Sequence, residues 1–315
     1  MLFFDHAYVE EHLTGAACIQ IMEDTLKQER TGACTQYLRT AIGLPNANIL
    51  GLRPAYYERG YFGVKVISVY HTNAGTGYPS HQGQIVLFGK EFGNVLAVID
   101  AMAVTKIRTG AVSAVATRAL ACQRPRTLAI LGCGAQGQSH LDAMTELFDL
   151  ETVRCWDLLP DSARRLADAG RQTGCQAEAC ETVEDAVRDA DVICTVTPSK
   201  TPILRAEWVK PGAHINAVGA CAPAARELDS ALALNSRFFC DNRESILHES
   251  GDFLIPMKEG LYGREHLLGT VGDVLLGKLP GRTSEQDITV FDAVGMAVED
   301  IACGIYLYEQ AAGLA

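Results

Sequence analysis

A short β-like run, Leu128–Gly132, ends in Gly132-x-Gly134-x-x-Gly137 and passes directly into a helical stretch, Ala135–Phe148. No other segment restricts the fold so tightly. Glycine at the first position permits a tight turn, at the second it lets backbone approach a pyrophosphate, and at the third it lets helix pack on strand. The helix start then offers free N–H groups and the positive end of its dipole to phosphate. A glycine triplet alone is a weak signal in a chain holding 29 glycines. The strand before it and the helix after it give it weight. Strand–helix alternation continues through Thr152–Trp156, Val192–Val196, His214–Val218 and Arg237–Cys240, with Ser162–Thr173 among the helices. That alternation predicts an α/β architecture with a Rossmann-type, doubly wound parallel sheet.

The strand after the glycine loop ends in Asp157. A carboxylate there accepts hydrogen bonds from the adenosine ribose and repels a 2′-phosphate, so NAD is expected, with NADH preferred over NADPH. The alternative is a loop aspartate capping the helix that begins near Asp161. Arg164 and Arg165 lie close in sequence and soften the preference. Cys133, inside the loop, reads as a tolerated small side chain.

The first hundred residues have another texture. Val9–Arg30 reads as an amphipathic helix. It is followed by β-like runs at Gln36–Ile42, Asn48–Pro54, Gly63–Tyr70, Gln84–Phe88 and Val95–Ile99, punctuated by the Gly/Asn cluster His71–Gly77. Consecutive strands with little helix between them predict a mostly antiparallel sheet, hence an α+β domain. Ala101–Cys122 turns helical and Pro125 stops it; Asp292–Gln310 reads as a final apolar helix that returns to the first domain. The expected division is 1–120 with 301–315 against 121–300.

A formal net charge of -11 argues against a nucleic-acid or anionic-membrane surface. No apolar run is long enough to span a bilayer, and the opening MLFFDHAYVEEHL lacks the basic start of a signal peptide. Eleven scattered cysteines, none at CxxC spacing, disfavour disulfide, zinc and dithiol readings, so no metal and a reducing cytoplasm are expected.

Three basic residues stand in unusual places. Lys65 shares a strand face with Ile67 and Val69 by period two. It reads either as a pocket lysine of tuned pKa or as an edge lysine whose stem snorkels to water. Arg108, mid-helix among small residues, and Arg39, in a strand-like run, could each clasp a carboxylate. Either alone reads as an ordinary surface arginine.

Taken in order, Leu38-Arg-Thr40, Pro54-Ala-Tyr56, Gly63-Val-Lys65, Ser80-His-Gln82, Ile107-Arg-Thr109, the Gly132 loop, Asn216-Ala-Val-Gly219, Arg226-Glu-Leu-Asp229 and Val294-Gly-Met-Ala297 form a specific set. The chain resembles the ornithine cyclodeaminase/mu-crystallin family over nearly its whole length. The resemblance implies that residues 1–120 with 301–315 bind substrate and form a homodimer, and that 121–300 bind NAD. It implies that Arg39, Lys65 and Arg108 hold the substrate's carboxylate and reacting nitrogen. Cofactor contacts would come from Ser80 and its neighbour His81, from Arg108, and from Gly132, Gly134, Ala135, Gln136 and Gly137. Asp157, Thr197, Val218, Gly219, Ala220 and Cys221 would complete them, with Val294 near the nicotinamide.

Three departures from the family pattern carry information. Cys221 stands where cyclodeaminases carry a catalytic aspartate, and a thiol is no substitute for that acid, so cyclodeamination is disfavoured. Arg53 replaces the usual methionine and suggests a second substrate carboxylate, as in iminosuccinate; otherwise it points away and pairs with an acid such as Glu58. Ala293 replaces a frequent serine. The expected activity is NAD(H)-dependent reduction of a small α-imino acid, or a 2-oxo acid with ammonia, to an L-amino acid. The rivals are a lyase with bound NAD and a non-catalytic binding protein.

Overall fold

The computed structural model describes residues 1–73 and 75–314; Ala74, within the His71–Gly77 cluster, and Ala315 lie outside the described residues. The chain divides into two compact units, Met1–Arg108 with Gly295–Ala315, and Thr109–Val294. The cuts fall at 108/109 and 294/295 rather than 120/121 and 300/301. One continuous helix carries the chain out of the first unit, so its residues belong partly to each.

The first unit is built on a seven-stranded sheet: β1 (Leu2–Phe4), β2 (Cys34–Gln36), β3 (Thr40–Gly43), β4 (Ile49–Tyr57), β5 (Tyr61–Val69), β6 (His81–Gly89) and β7 (Val95–Asp100). Its order is β1-β7-β6-β5-β4-β2, with β3 also on β4, and every pairing except β1·β7 is antiparallel. The run expected at Gln36–Ile42 is therefore two short strands, both laid against β4. Residues 37–39 leave the ladder between them. Strand β4 continues through Pro54, which lies opposite the break between β2 and β3. A missing N–H costs no ladder bond on that side.

The helix expected at Val9–Arg30 is two helices, α1 (His6–His12) and α2 (Gly15–Thr31). Thr14 interrupts it by capping α2: its hydroxyl accepts from Ala17 N at 3.3 Å. Helix α3 (Ala101–Leu120) follows β7 directly. The C-terminal helix (Ala297–Ala311) packs on α2 and on strands β4 to β7. It starts five residues later than the apolar run suggests, because Asp292 ends a strand and Gly295 adopts φ +81° in the connection. The helix lies so close to β5 that a Cβ on Gly63 would come within 2.6 Å of Ile301 Cδ1. The covered sheet face buries Ile85, Leu87, Ala97 and Ile99. On the opposite face Pro54, Phe62, Val64, Val66, Val86 and Phe88 remain half-buried, with Phe62 stacked on Phe88.

The second unit is an eight-stranded, wholly parallel sheet. Its strands are β8 (Thr127–Leu131), β9 (Thr152–Trp156), β10 (Gln176–Ala179), β11 (Val192–Thr195), β12 (His214–Ala217), β13 (Arg237–Cys240), β14 (Leu267–Thr270) and β15 (Thr289–Asp292). They lie in the order β10-β9-β8-β11-β12-β15-β13-β14. Helices α4 (Ala135–Leu147), α5 (Pro160–Gln172), α6 (Val183–Val187), α7 (Ser230–Leu234), α8 (Arg243–Glu249), α9 (Gly251–Lys258) and α10 (Val271–Leu275) connect them. Strand order reverses between β8 and β11, and in such sheets a ligand crevice opens at the carboxyl ends beside that switch. Ala129, Ile193, Ile215, Phe238 and Val290 fill the core beneath it. Among the described residues no helix is long and apolar enough to cross a membrane.

Candidate active site

Lys65 sits on β5, a central strand between β4 and β6, so it cannot snorkel past an edge. Only 2% of it is exposed. Its Nζ lies 2.6 Å from Asp300 Oδ2 on the C-terminal helix and donates to Thr105 Oγ1 at 3.2 Å. Arg108, expected from sequence alone to be an ordinary surface arginine, is 4% exposed. Its Nη1 donates to Glu299 at 2.8 Å and its Nε to Asp300 Oδ1 at 3.2 Å. Both partners are acids of the C-terminal helix, which could not be buried without a cation.

Arg53 is the register partner of Lys65 across β4 and β5 and shares its face. Its Nη1 donates to Gly295 O at 3.2 Å, so it turns toward this cluster and not toward Glu58. A Cβ at Gly295 would stand 3.0 Å from Arg108 Nη2 and 3.2 Å from Arg53 Nη1; only glycine fits both that space and its φ.

The titration of these groups follows from their neighbours. Burial lowers Lys65 most, Asp300 pulls it back up, and Arg108 and Arg53 push it down, leaving it at about 7. Burial pushes the Asp300 carboxyl up, but Lys65 and Arg108 outweigh it and hold the group below its ordinary value. For Glu299 burial wins over Arg108 and the carboxyl is raised. The cluster thus holds a buried amine that can gain or lose a proton near neutrality, between two guanidinium groups.

In the second unit the glycine loop has the shape a dinucleotide needs. Gly132 adopts φ +104°, and a Cβ there would come within 2.8 Å of Val196 O. A Cβ on Gly137 would overlap the Gly132 carbonyl, whereas nothing lies within 4 Å of the space beside Gly134. Gly134 is the N-cap of α4 and supplies no side-chain bond to its first N–H groups, which stay available to an anion. Asp157 accepts from Cys133 N at 2.7 Å and from Leu159 N at 2.8 Å. It ties the glycine loop to its own turn and does not cap α5, whose N-cap is Leu159. Contact with Cys155 and burial push the Cys133 thiol up, so it stays a neutral thiol. Thr197 and Gly219 lie after β11 and β12 and share one partner, the fully buried Glu227. Burial raises the Glu227 carboxyl, while the bonds from Thr197 and Gly219 pull it down.

The remaining expected site residues are spread more widely. Ala135 and Gln136 open α4, and a buried Gln136 side-chain oxygen has no hydrogen-bond partner among the described residues. Val218 and Ala220 are buried, and Cys221 is half-buried with its thiol donating to Val218 O at 3.3 Å. Val294 is the buried last residue of the second unit. Ser80 and His81 belong to the first unit, both exposed, their side chains 3.0 Å apart. Arg39 is half-buried on the stretch between β2 and β3.

Asp300, Glu299 and Glu227 were not legible as site residues. A signal existed for the first two: consecutive acids inside an otherwise apolar helix must find cations when buried.

A model of the ornithine cyclodeaminase/mu-crystallin family matches residues 2–314. The chain belongs to this family. It is 38% identical to ketimine reductase mu-crystallin of Mus musculus over 281 residues, covering 89% of this chain and 86% of that protein. It is similar to the solved Δ1-pyrroline-2-carboxylate reductase of Thermococcus litoralis, in complex with NADH and L-proline, at TM-score 0.95 and 31% identity, covering 99% of this chain and 98% of that one. It is similar as well to an archaeal alanine dehydrogenase dimer with bound NAD, at TM-score 0.95 and 30% identity, covering 99% and 96%. The mixed α/β fold with its parallel sheet is that of these family members.

Proposed function

We propose that this chain is an NAD-dependent oxidoreductase of C=N and CH–NH2 groups that reduces a small α-imino acid, preformed or made from a 2-oxo acid and ammonia, to an L-amino acid. The observation that carries the reading is Lys65: a fully buried lysine on Asp300, flanked by Arg53 and Arg108, with its pKa brought down to about 7. Bound NADH supplies the hydride. Arg108 and Arg39 hold the substrate carboxylate. The Lys65 ammonium donates to the imine nitrogen, which makes the adjacent carbon more electrophilic, and gives up its proton as the amine forms. Asp300 keeps that ammonium charged and oriented. Reversal is amino-acid oxidation, with neutral Lys65 as base.

The Gly132 loop would hold the dinucleotide, and the Asp157 carboxylate would accept from its adenosine ribose hydroxyls. NADH is preferred over NADPH because Leu158 and Leu159 follow Asp157 and the nearby Arg164 is already paired with Asp161. The half-buried apolar face of the first-unit sheet supports a homodimer, which sedimentation would reveal. Arg53, in the row of Lys65, favours a second reading: a dicarboxylic imine such as iminosuccinate.

The test is an NADH-oxidation screen with pyruvate, oxaloacetate or glyoxylate, each with ammonia, and with cyclic imines, NADPH in parallel. The expected result is turnover of at least one imine with NADH ahead of NADPH. Failure across the panel would favour a binding protein, and ammonia released from ornithine without an acceptor would favour the lyase.

A further inference from the structure

We infer that Glu227 is a positioning residue for the dinucleotide, a buried clamp that fastens the loops after two neighbouring strands into one surface. The inference rests on the reading that Thr197 and Gly219 meet the cofactor. Strands β8, β11 and β12 are adjacent in the sheet, and their carboxyl ends carry Gly132, Thr197 and Gly219. Glu227 lies on the same connection as Gly219, eight residues further on and just before α7, and reaches back to both loops. One of its oxygens accepts from Thr197 N and Thr197 Oγ1, both at 2.7 Å; the other accepts from Gly219 N at 2.8 Å. Two loops are thereby joined through a single carboxylate with no solvent exposure.

The third loop is held by packing. A Cβ on Gly132 would stand 2.9 Å from Thr197 Cγ2, so the threonine methyl fills the place a side chain would need. A Cβ on Gly219 would overlap the Thr197 backbone and come within 2.7 Å of Glu227 Oε2. Displacing Thr197 therefore disturbs all three loops. Glu227 is itself fixed. Its N–H donates to Asp252 Oδ1 at 2.8 Å, and its carbonyl accepts from Ile203 N and Leu204 N at 2.7 and 2.9 Å. An anion suits this place because the groups facing it are N–H and O–H donors, and bonds to a charged acceptor are the stronger kind. Glutamine would keep one acceptor oxygen and turn an amide N–H against the N–H of Thr197 or Gly219.

The test is Glu227→Gln, read by NADH titration of protein fluorescence and by steady-state kinetics with a saturating imine. The Kd for NADH should rise about tenfold, equivalent to about 1.4 kcal/mol. The kcat at saturating NADH and the KM for the imine should stay within about twofold. A merely structural role would lower the active fraction and kcat without that split. A Glu227→Gln protein that binds NADH like the wild type, or one that loses kcat at unchanged NADH affinity, would overturn the clamp alone. A wild type that does not bind NADH would overturn the underlying functional reading, and the clamp with it. Should Glu227→Gln not fold, Glu227→Asp takes its place: it keeps the charge one methylene short of its partners, so a raised Kd supports the clamp and an unchanged one overturns it.

Discussion

The two units bury acids in opposite ways. In the first, charge meets charge: Asp300 and Glu299 lie against Lys65 and Arg108. In the second, carboxylates are met by N–H and O–H groups. Glu227 takes Thr197 and Gly219, Asp252 takes the N–H groups of Glu227 and Leu228, and Asp292 takes the Ser250 hydroxyl. The outcomes differ accordingly. Burial would raise Asp300, yet two cations keep it below its ordinary value. Burial and the neighbouring Glu227 raise Asp252 to about 8. Two full charges repay the loss of hydration at Asp300, whereas the Arg108 charge on Glu299, and the dipoles crowded by other acids around Asp252, repay only part of it. The first arrangement keeps a movable proton on an amine. The second builds a stiff cradle.

The sharpest way to break this contrast is Asp300→Ala, which strips Lys65 and Arg108 of a shared partner. Removing one side of a buried ion pair is expected to cost about 3–5 kcal/mol in denaturant unfolding. A loss below about 1 kcal/mol, the range of exposed pairs, would mean that the first unit does not depend on its charge pairing. Asp157→Ala tests the second style of binding, a carboxylate on the N–H groups of Cys133 and Leu159. It should weaken NADH about tenfold and narrow the NADH/NADPH ratio by a similar factor, a loss of about one charged hydrogen bond. An unchanged cofactor ratio would show that the carboxylate shapes its loop and nothing more.

Asp252→Asn gives the smallest effect and the cleanest sign. The folded-state pKa of Asp252 lies above its unfolded value, so its contribution to stability is present at low pH and lost as pH rises through about 8. Asparagine keeps the acceptor for both N–H groups and does not titrate. The melting midpoint should therefore match the wild type near pH 4 and exceed it at pH 8.5 by roughly 2–4 °C per kcal/mol regained. Equal midpoints at both pH values would show that Asp252 is not held protonated.

Much of this was legible in the residues, and what was hidden was hidden for physical reasons. Gly132, Gly134 and Gly137 announce their turn because each answers a local backbone requirement. Lys65 shows its inward face through the period of a strand. Arg108 does not, because its partners lie 191 and 192 residues further along the chain and small neighbours look the same at a surface or under a helix. Asp300 and Glu299 were absorbed into an apolar helix whose start the connection at Gly295 moves to Ala297. Strands β10 and β14, QAEA and LLGT, carry few of the β-branched and aromatic residues that mark a strand, and Asp292, the end of β15, reads as the start of the helix that follows. Glu227 gave no local sign, since its role depends on two loops brought together by the sheet.

The central claim is that the buried Lys65 ammonium donates the proton, and the pH dependence of kcat/KM for NADH-dependent imine reduction tests it most directly. With its pKa near 7, Lys65 is charged below that value, so reduction should slow as pH rises through about 7 and amino-acid oxidation should quicken over the same range. Asp300→Asn should move the inflection to lower pH, because Asp300 is the group that holds the proton on. Lys65→Met should retain between about 10⁻² and 10⁻⁴ of the rate, with no such inflection. A Lys65→Met enzyme with full turnover and the wild-type profile would contradict the account.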